Sequence, residues 1–428
     1  MFKRLVVILV ALVFMVTSAV GVAGVRANAD GSDEIPGPGS GASQLEGPGQ
    51  EGQEALEDQG HLTLEEAVRM ATEHSPDLRL AAAAVEQAKL GLDQAEYTAD
   101  RLPDEVVSDY ETAKLKDLTP RQAEGGLMVA QSAYEQARLA LRLQVETAYY
   151  DVLKAQHMVA VSEEALDQAR EQLNLARARY EAGTVARIDI LGAEVQVADV
   201  EANLLSAKRM LQMAEMEFNR ITGRELDAPV QLTGDLEYEP FEGIDVQEAV
   251  EIALQNRSDI AAAEDKVGVK ELQHEIVQRY YTPNVFAYRQ AVLELENARA
   301  ELERTREGVQ LEVRQAYLNI QNAEDRFRVR EKAIEQAEEN LRLARLRYRE
   351  GVSTSLEVIN AQVLLTQART EALNALYDFN LAKAQFRTAI GKWDLGLVRN
   401  RPLAVTWKHR LGNQEECSMS LPKRYHGG

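Results

Sequence analysis

A seven-residue repeat of apolar side chains runs through two long parts of the chain. From Val145 to Tyr180 every seventh position is large and apolar, and most positions three residues further on are alanine. The same pattern returns between Val313 and Tyr348. A row of large residues beside a row of small ones is typical of helices that pack against a neighbour along their whole length. The pattern therefore predicts long, paired helices.

Proline and glycine mark the ends of these helices. Ser75-Pro76 interrupts an early helical pattern, and Gly183 and Gly223 each follow a helical stretch, as a C-terminal glycine does. The predicted helices of the first half cover about 63–74, 77–97, 127–182 and 187–222. Those of the second half cover about 246–256, 259–280, 288–350 and 353–390.

Short motifs recur in the same order in both halves, which indicates a duplicated unit. Leu64-Glu-Glu-Ala-Val68 returns 182 residues later as Val246-Gln-Glu-Ala-Val250. Tyr180-Glu-Ala-Gly183 returns only 168 residues later as Tyr348-Arg-Glu-Gly351. The difference places 14 extra residues in the first copy, between about Gln94 and Leu141. We therefore predict an all-α fold of two tandem repeats, each built from long antiparallel coiled-coil hairpins.

The segments outside the helices have their own character. Lys3 and Arg4 precede an uncharged run, and Ala27-Asn28-Ala29 follows it. This layout is typical of a secretory signal, which is either cleaved after Ala29 or retained as a membrane anchor. Either way, the body of the protein is expected outside the cytoplasm. The predicted organisation is a signal peptide at 1–29, a disordered acidic Gly/Pro linker at 30–60, helical repeat 1 at 61–225, an extended crossover at 226–243 with a short β segment near 226–240, helical repeat 2 at 244–393, and a loosely ordered tail at 394–428.

Composition argues against several classes of function. The formal net charge of −21 disfavours binding to nucleic acid. Cys417 is the only cysteine, which excludes an intrachain disulfide and a thiolate metal cluster. The six histidines are scattered without metal-binding spacing, and we find no nucleotide-binding loop and no catalytic constellation. We therefore predict no enzyme activity, no metal site and no cofactor.

The repeated motifs resemble those of the TolC-like outer-membrane channel-tunnel proteins of efflux pumps and type I secretion systems. The resemblance covers about 62–393 and rests on Leu62-Thr-Leu-Glu-Glu-Ala67, on Ala148-Tyr149-Tyr150 and on the glycine motifs at 179–189 and 347–357. It implies a homotrimer in which two repeats from each chain close a hollow cylinder of helices. It also implies a periplasmic adaptor (membrane fusion) protein and an inner-membrane transporter as partners, and the outer membrane as the location.

One property of that family does not fit the residues. Each repeat of the family carries a β-hairpin that contributes to a membrane barrel, and two spanning strands need at least about 20 residues. The second copy offers only about 279–290, and the first offers about 100–122, where ten positions are charged. We therefore expect the barrel to be absent or vestigial, and we do not carry membrane insertion over to this chain.

The resemblance assigns the candidate site to the two hairpin tips, which in the family dock the adaptor and close the tunnel. The residues concerned are Tyr180, Gly183, Thr184 and Asp189 in the first tip, and Tyr348, Gly351, Ser353 and Glu357 in the second. By resemblance the glycines shape the turns and the two acids could form an acidic ring. Ser353 and Thr354 stand where the family often has a gating arginine. The alternative interpretation is helix capping alone.

Two functions of different class follow from this sequence. The first is a trimeric conduit of a tripartite efflux or type I secretion system. The second is a non-conducting extracytoplasmic coiled-coil scaffold or spacer. They differ in whether the helices enclose a water-filled lumen, which the sequence leaves open.

Overall fold

The computed structural model describes residues 62–391 except 235, 242 and 243. The predicted signal peptide, the linker at 30–60 and the tail at 394–428 lie outside the described residues, as do His61 and Cys417.

The described residues form helices and connecting turns. The first repeat contains α1 (Leu64–His74), α2 (Pro76–Asp100), α3 (Tyr110–Ala113), α4 (Thr119–Glu181) and α5 (Arg187–Thr222). The second contains α6 (Val246–Asn256), α7 (Ser258–Tyr280), α8 (Phe286–Arg349) and α9 (Ser355–Ile390). A 3-10 helix covers Asp104–Val106, and a π-helix over Lys114–Leu118 joins α3 to α4. No strand occurs within these described ranges, which confirms the predicted all-α class.

The duplication is visible in the lengths of the helices. α1 and α6 have 11 residues each, and α5 and α9 have 36 each. α4 and α8 have 63 and 64 residues, so each is about 95 Å long. In each repeat the long helix packs against the return helix that follows it, α4 on α5 and α8 on α9.

The extra residues of the first copy lie mainly between α2 and α4. The second copy crosses the same point with the short turn 281–285, whereas the first copy adds the 3-10 helix, α3 and the π-helix. The predicted start of the long helix near 127 is therefore wrong, because α4 begins at Thr119. Pro120 explains the π-helix: its ring has no N–H and clashes with the carbonyl four residues earlier, so the preceding turn widens. Thr119 donates both its N–H and its hydroxyl to the Lys114 carbonyl.

The predicted seven-residue seam forms the core of each hairpin. In the second copy Val313, Ile320, Phe327 and Leu341 are all buried. In the first copy Val145, Val152 and Leu166 are buried, and the alanines at 148, 155, 169 and 176 on the adjoining row are buried with them. The small row lets the paired backbones approach closely, so the large row can interlock over the whole length of the helices.

The crossover between the repeats is extended, as predicted, but its β structure is a single bridge. Leu232 pairs with Leu62 in parallel: the Leu62 N–H donates to the Gln231 carbonyl at 2.8 Å, and the Leu62 carbonyl accepts from the Thr233 N–H at 2.9 Å. The Tyr149 hydroxyl donates to the Thr233 carbonyl. Further along, Tyr238 packs between Phe327 and Phe379. A hydrogen bond from Tyr149 thus holds the crossover to the first repeat, and ring contacts hold it to the second.

Polar contacts join the two repeats along α4. At one end Arg121 forms a two-point ion pair with Asp265 of α7, at 2.6 and 3.1 Å, and only 9% and 13% of the two side chains is exposed. Two glycines make room for this pair. A Cβ at Gly125 would lie 3.0 Å from the Asp265 carboxylate, and one at Gly268 would lie 3.2 Å from the Arg121 guanidinium.

A buried carboxylate lies further along the same helix. Glu146 is 1% exposed, and its Oε1 is 3.4 Å from the Arg387 guanidinium of α9 and accepts a hydrogen bond from the Tyr150 hydroxyl at 3.3 Å. Its Oε2 has no hydrogen-bond partner among the described residues. Burial raises the pKa of Glu146 above the ordinary 4.5, and the attraction of Arg387 and Arg142 does not offset this effect.

This raised pKa predicts how the stability of the fold depends on pH. Because the folded chain holds the Glu146 proton more tightly than the unfolded chain, the free energy of unfolding should fall as pH rises from about 4.5 through the raised pKa. Glu146→Gln removes this penalty. We expect the variant to be more stable than the wild type at pH 7.5, on the order of 1 kcal/mol, and equal to it below about pH 4.

Urea unfolding followed by circular dichroism at several pH values measures this difference. Glu171→Gln, which removes an exposed carboxylate from the same helix, is the control for the loss of one negative charge. A Glu146→Gln protein that is less stable than the wild type at pH 7.5 would contradict the prediction.

Candidate functional site at the hairpin tips

The first tip turns the chain between α4 and α5. The Gly183 N–H donates to the Tyr180 carbonyl at 2.9 Å, and the Thr184 N–H donates to the Arg179 carbonyl at 3.0 Å. The Thr184 hydroxyl donates to the same Arg179 carbonyl, also at 3.0 Å. These bonds satisfy the last carbonyls of α4, so Thr184 contributes to the end of the helix.

The second tip repeats this arrangement between α8 and α9. The Gly351 N–H donates to the Tyr348 carbonyl at 3.1 Å, and the Val352 N–H donates to the Arg347 carbonyl at 3.0 Å. Gly183 and Gly351 have φ angles of 70° and 76°, which favour glycine. A Cβ at either glycine would meet no atom within 4 Å, so space does not require glycine there.

The two predicted acids cap the return helices. Asp189 is the third residue of α5, and its carboxylate accepts a hydrogen bond from the Ala186 N–H at 3.2 Å. Glu357 is the third residue of α9, and its carboxylate accepts one from the Ser353 hydroxyl at 2.6 Å. Negative charge in the first turn of a helix is favourable. Both acids and Ser353 therefore have local roles in capping.

The two tyrosines of the repeated motif occupy different environments. Tyr180 is 45% exposed, whereas Tyr348 is 2% exposed and packs with Leu341 and Val358. The Tyr348 hydroxyl has no hydrogen-bond partner among the described residues. The motif Tyr-x-x-Gly thus predicts the same turn twice, but it does not predict which ring is covered.

Arg179 is the residue that covers Tyr348 and links the two tips. Its guanidinium lies 4.1 Å from the centroid of the Tyr348 ring. It also donates to the Tyr348 carbonyl at 2.7 Å and to the Arg349 carbonyl at 3.0 Å. A cation at the C-terminus of α8 is favourable because the last carbonyls of a helix carry partial negative charge, and the guanidinium adds a donor to the Tyr348 carbonyl, which also accepts from the Gly351 N–H. The sequence does not predict this role, because it depends on how the two repeats pack.

A polar seam between α4 and α9 continues behind the tips. The Gln172 amide donates to the Ser355 hydroxyl at 3.2 Å, and both side chains are buried. Further from the tips, Arg369 of α9 contacts Glu164 of α4 at 2.5 Å and Glu338 of α8 at 3.0 Å. The hydrogen bond from Arg369 lowers the pKa of Glu164. Arg369 therefore ties three of the long helices together.

The tip end of the chain is positively charged. The ranges 177–189 and 342–357 together contain seven arginines and four acids, in a chain whose formal charge is −21. The acidic ring suggested for Asp189 and Glu357 would thus lie in a cationic environment.

In the described part of the chain, no helix is both long enough and apolar enough to cross a membrane. Within the same ranges, no group of three or more His, Cys, Asp or Glu side chains is placed to hold a metal ion.

The contacts of Arg179 predict a local effect on the second tip. Arg179→Gln should remove the cation over Tyr348, leave the Arg349 carbonyl without its side-chain donor, and leave the Tyr348 carbonyl with the Gly351 N–H as its donor. We expect amide hydrogen exchange at 348–353 to become several-fold faster, while the free energy of unfolding of the whole protein falls by about 1 kcal/mol or less.

The measurement is hydrogen exchange followed by mass spectrometry. Arg177→Gln serves as the control, because Arg177 forms an exposed ion pair with Glu194 on α5 and does not contact the second tip. Unchanged exchange at the second tip in Arg179→Gln would show that the link does not order it.

Comparison with known proteins gives the fold a family. A family model described as "Outer membrane efflux protein" matches residues 119–224 and 283–392, which is half of the chain. Nodulation protein T of Rhizobium leguminosarum bv. trifolii is 22% identical over 311 residues, covering 63% of this chain and 67% of that protein. Outer membrane protein TolC of Escherichia coli (strain K12) is 21% identical over 334 residues, covering 66% and 67%. Alkaline protease secretion protein AprF of Pseudomonas aeruginosa is 25% identical over 301 residues, covering 59% and 62%.

Solved structures show the same fold. The outer membrane protein VceC of Vibrio cholerae superposes with a TM-score of 0.64 at 19% identity, over 77% of this chain and 96% of that one. The CmeC outer membrane channel of Campylobacter jejuni gives 0.63 at 14% identity, over 77% and 85%. The family consists of channel proteins, so the prediction that the chain is not an enzyme is confirmed. Because the family model matches both long hairpins, the chain belongs to the outer membrane efflux protein family.

Proposed function

We propose that three copies of this chain form a conduit in a tripartite efflux or type I secretion system of the cell envelope. Solutes would pass through it with the help of a periplasmic adaptor protein and an inner-membrane transporter. The family match supports efflux, and the likeness to a protein named for alkaline protease secretion supports export more widely.

The observation that carries this proposal is an exposed apolar stripe on α5. Its members recur at alternating steps of three and four residues, as in a coiled-coil seam. They are Ile188, Leu191, Val195, Ala198, Ala202 and Leu205. Ile188 is 69% exposed and Val195 is 61% exposed, although both lie on one face of a regular helix. An apolar seam of this length marks an interaction surface.

The order of the helices supports a second copy of the chain as the surface that would cover the stripe. α5 packs against α4, α4 against α9, and α9 against α8, so α5 and α8 lie at opposite edges of the row. α8 also exposes large apolar side chains, among them Leu318 and Val329. Joining the α5 edge of one copy to the α8 edge of the next would cover both edges and close a ring. A scaffold without a lumen could use the same stripe, so assembly and transport have to be measured separately.

Assembly through the stripe predicts a charge-sensitive oligomer. Leu191→Asp together with Val195→Asp should convert a sedimenting trimer into monomer at the same protein concentration. The change removes about 2–3 kcal/mol of apolar burial from each contact and adds two charges to it.

Analytical ultracentrifugation measures this change, and Asn203→Asp is the matched control because Asn203 is exposed on α5 but lies off the stripe. A wild-type protein that stays monomeric at high concentration would contradict the conduit model.

Transport is tested by the accumulation of a fluorescent efflux dye in cells that lack the gene. A trimeric protein that fails to restore dye export there would favour the scaffold.

The tips are the proposed contact with the adaptor. Gly183→Val and Gly351→Val place a β-branched residue at positive φ, which costs roughly 1–2 kcal/mol at the turn but leaves the remote parts of the hairpins unaffected. We expect the double variant to capture much less of the organism's adaptor protein while helicity and trimer formation stay near the wild type.

Pull-down of the adaptor beside circular dichroism measures both properties. Gly192→Ala is the control, because Gly192 lies within α5 near the tip and a Cβ there meets no atom within 4 Å. If the double variant binds the adaptor as well as the wild type does, the tips cap helices and do not dock a partner.

A further inference from the structure

A groove of about 400 Å³ lies near the tips, between α8 and α9, with α4 as its third wall. Leu341 and Leu365 line it and belong to a buried apolar cluster. Three arginines of α8 line it as well, at positions 342, 345 and 349. These positions lie on one face of the helix and span about 10 Å along its axis.

The charges in this groove do not balance. The two glutamates that line it, Glu164 and Glu338, both bind Arg369. Arg342 is held by Glu339 of its own helix, with two contacts of 2.7 Å. Arg345 is half-buried, and its charge, after the hydrogen bond from Arg369, helps to lower the pKa of Glu164. Neither Arg345 nor Arg349 has a side-chain hydrogen bond or a close ion pair with any residue of the described ranges. The residues that line the groove are four arginines and two glutamates, so the groove has a surplus of positive charge.

Interaction with the helix dipole explains only some of the arginines near the end of α8. Cations are favourable in the last turn of a helix, which covers Arg347 and Arg349 at the end of α8. Arg345 lies further from that end and lines the groove beside Leu341. A partly buried guanidinium without a hydrogen-bond acceptor is unfavourable, so a carboxylate entering the groove would gain a charge-assisted hydrogen bond.

We propose that this groove binds an α-helix of a partner protein. The helix would present acidic residues at i, i+3 or i+4, and i+7 to the three arginines, and a leucine between them to Leu341 and Leu365. This inference rests on the proposed function, in which a partner docks at the tip end, and it adds the chemistry that the partner must carry. The apolar floor with a cationic rim favours an amphipathic helix over a small anion.

A charge swap tests the proposal. The probe is a helix-stabilised peptide of about 14 residues with glutamates at the stated spacing around one leucine, and its counterpart carries lysines at those positions. The wild-type protein should bind the glutamate peptide. Arg345→Glu with Arg349→Glu should bind it on the order of tenfold more weakly and should bind the lysine peptide in its place. Arg347→Glu changes the same charge on the same turn of α8 but outside the groove lining, so it should bind like the wild type.

Several results would overturn the proposal. The first is that the wild type does not bind the glutamate peptide. The second is that Arg347→Glu weakens peptide binding as much as the double variant does. The third is that inorganic phosphate displaces the peptide more effectively than sodium chloride at the same ionic strength. The last result would indicate a small-anion site.

Sedimentation of the same proteins completes the test. If the Arg345→Glu, Arg349→Glu variant is the one protein that loses the trimer, the groove is a contact between copies. If the wild type forms no trimer, the conduit itself fails, whatever the peptide shows.

Discussion

Lengthwise pairing of two very long helices is the constraint on which the rest of this structure depends. A helix of 63 or 64 residues extends for about 95 Å, and no globular core is that deep. Its burial must therefore come from a neighbour that runs beside it over the same distance. The alternation of a large row, such as Val313 and Ile320, with an alanine row meets this need. Because the seam occupies only one face of each helix, the opposite face of α5 remains free for a second apolar stripe.

The contacts between the two repeats differ in kind from the contacts within each hairpin. Apolar rows hold α4 to α5 and α8 to α9, whereas charged or hydrogen-bonded groups recur along the face of α4 that meets the second repeat. Arg121 binds Asp265 at one end, Glu146 meets Arg387 further along, and Arg179 covers Tyr348 at the tip. Buried polar pairs contribute little net stability but are costly to misalign. We infer that they fix the register of one repeat on the other, while the apolar seams supply most of the stability.

Local chemistry explains which parts of the fold the sequence could predict. The bounds of α5 and α6 agree with the prediction to the residue, because glycine and capping residues mark them directly. The start of α4 was misplaced, since the polar segment before it folds as α3 and a π-helix where the sequence suggested only a break. At the tips, the turns and the caps could be predicted, but the burial of Tyr348 and the position of Arg179 could not. Both depend on the packing of one repeat against the other, and no periodic pattern within one repeat encodes that packing.

If a partner docks at the tips, as proposed, the residues that differ between the two tips must provide its recognition. Both turns use the same hydrogen bonds, with φ angles of 70° and 76° at their glycines, so the duplicated motif accounts for the turn and for little else. The residues that differ between the copies give each tip its surface. Tyr180 is exposed at the first tip, while the second has a covered tyrosine and an arginine-lined groove behind it. A partner that met only the shared turn could not tell one tip from the other. A partner that binds the arginines of α8 could distinguish the two tips, and it would recognise the second repeat alone.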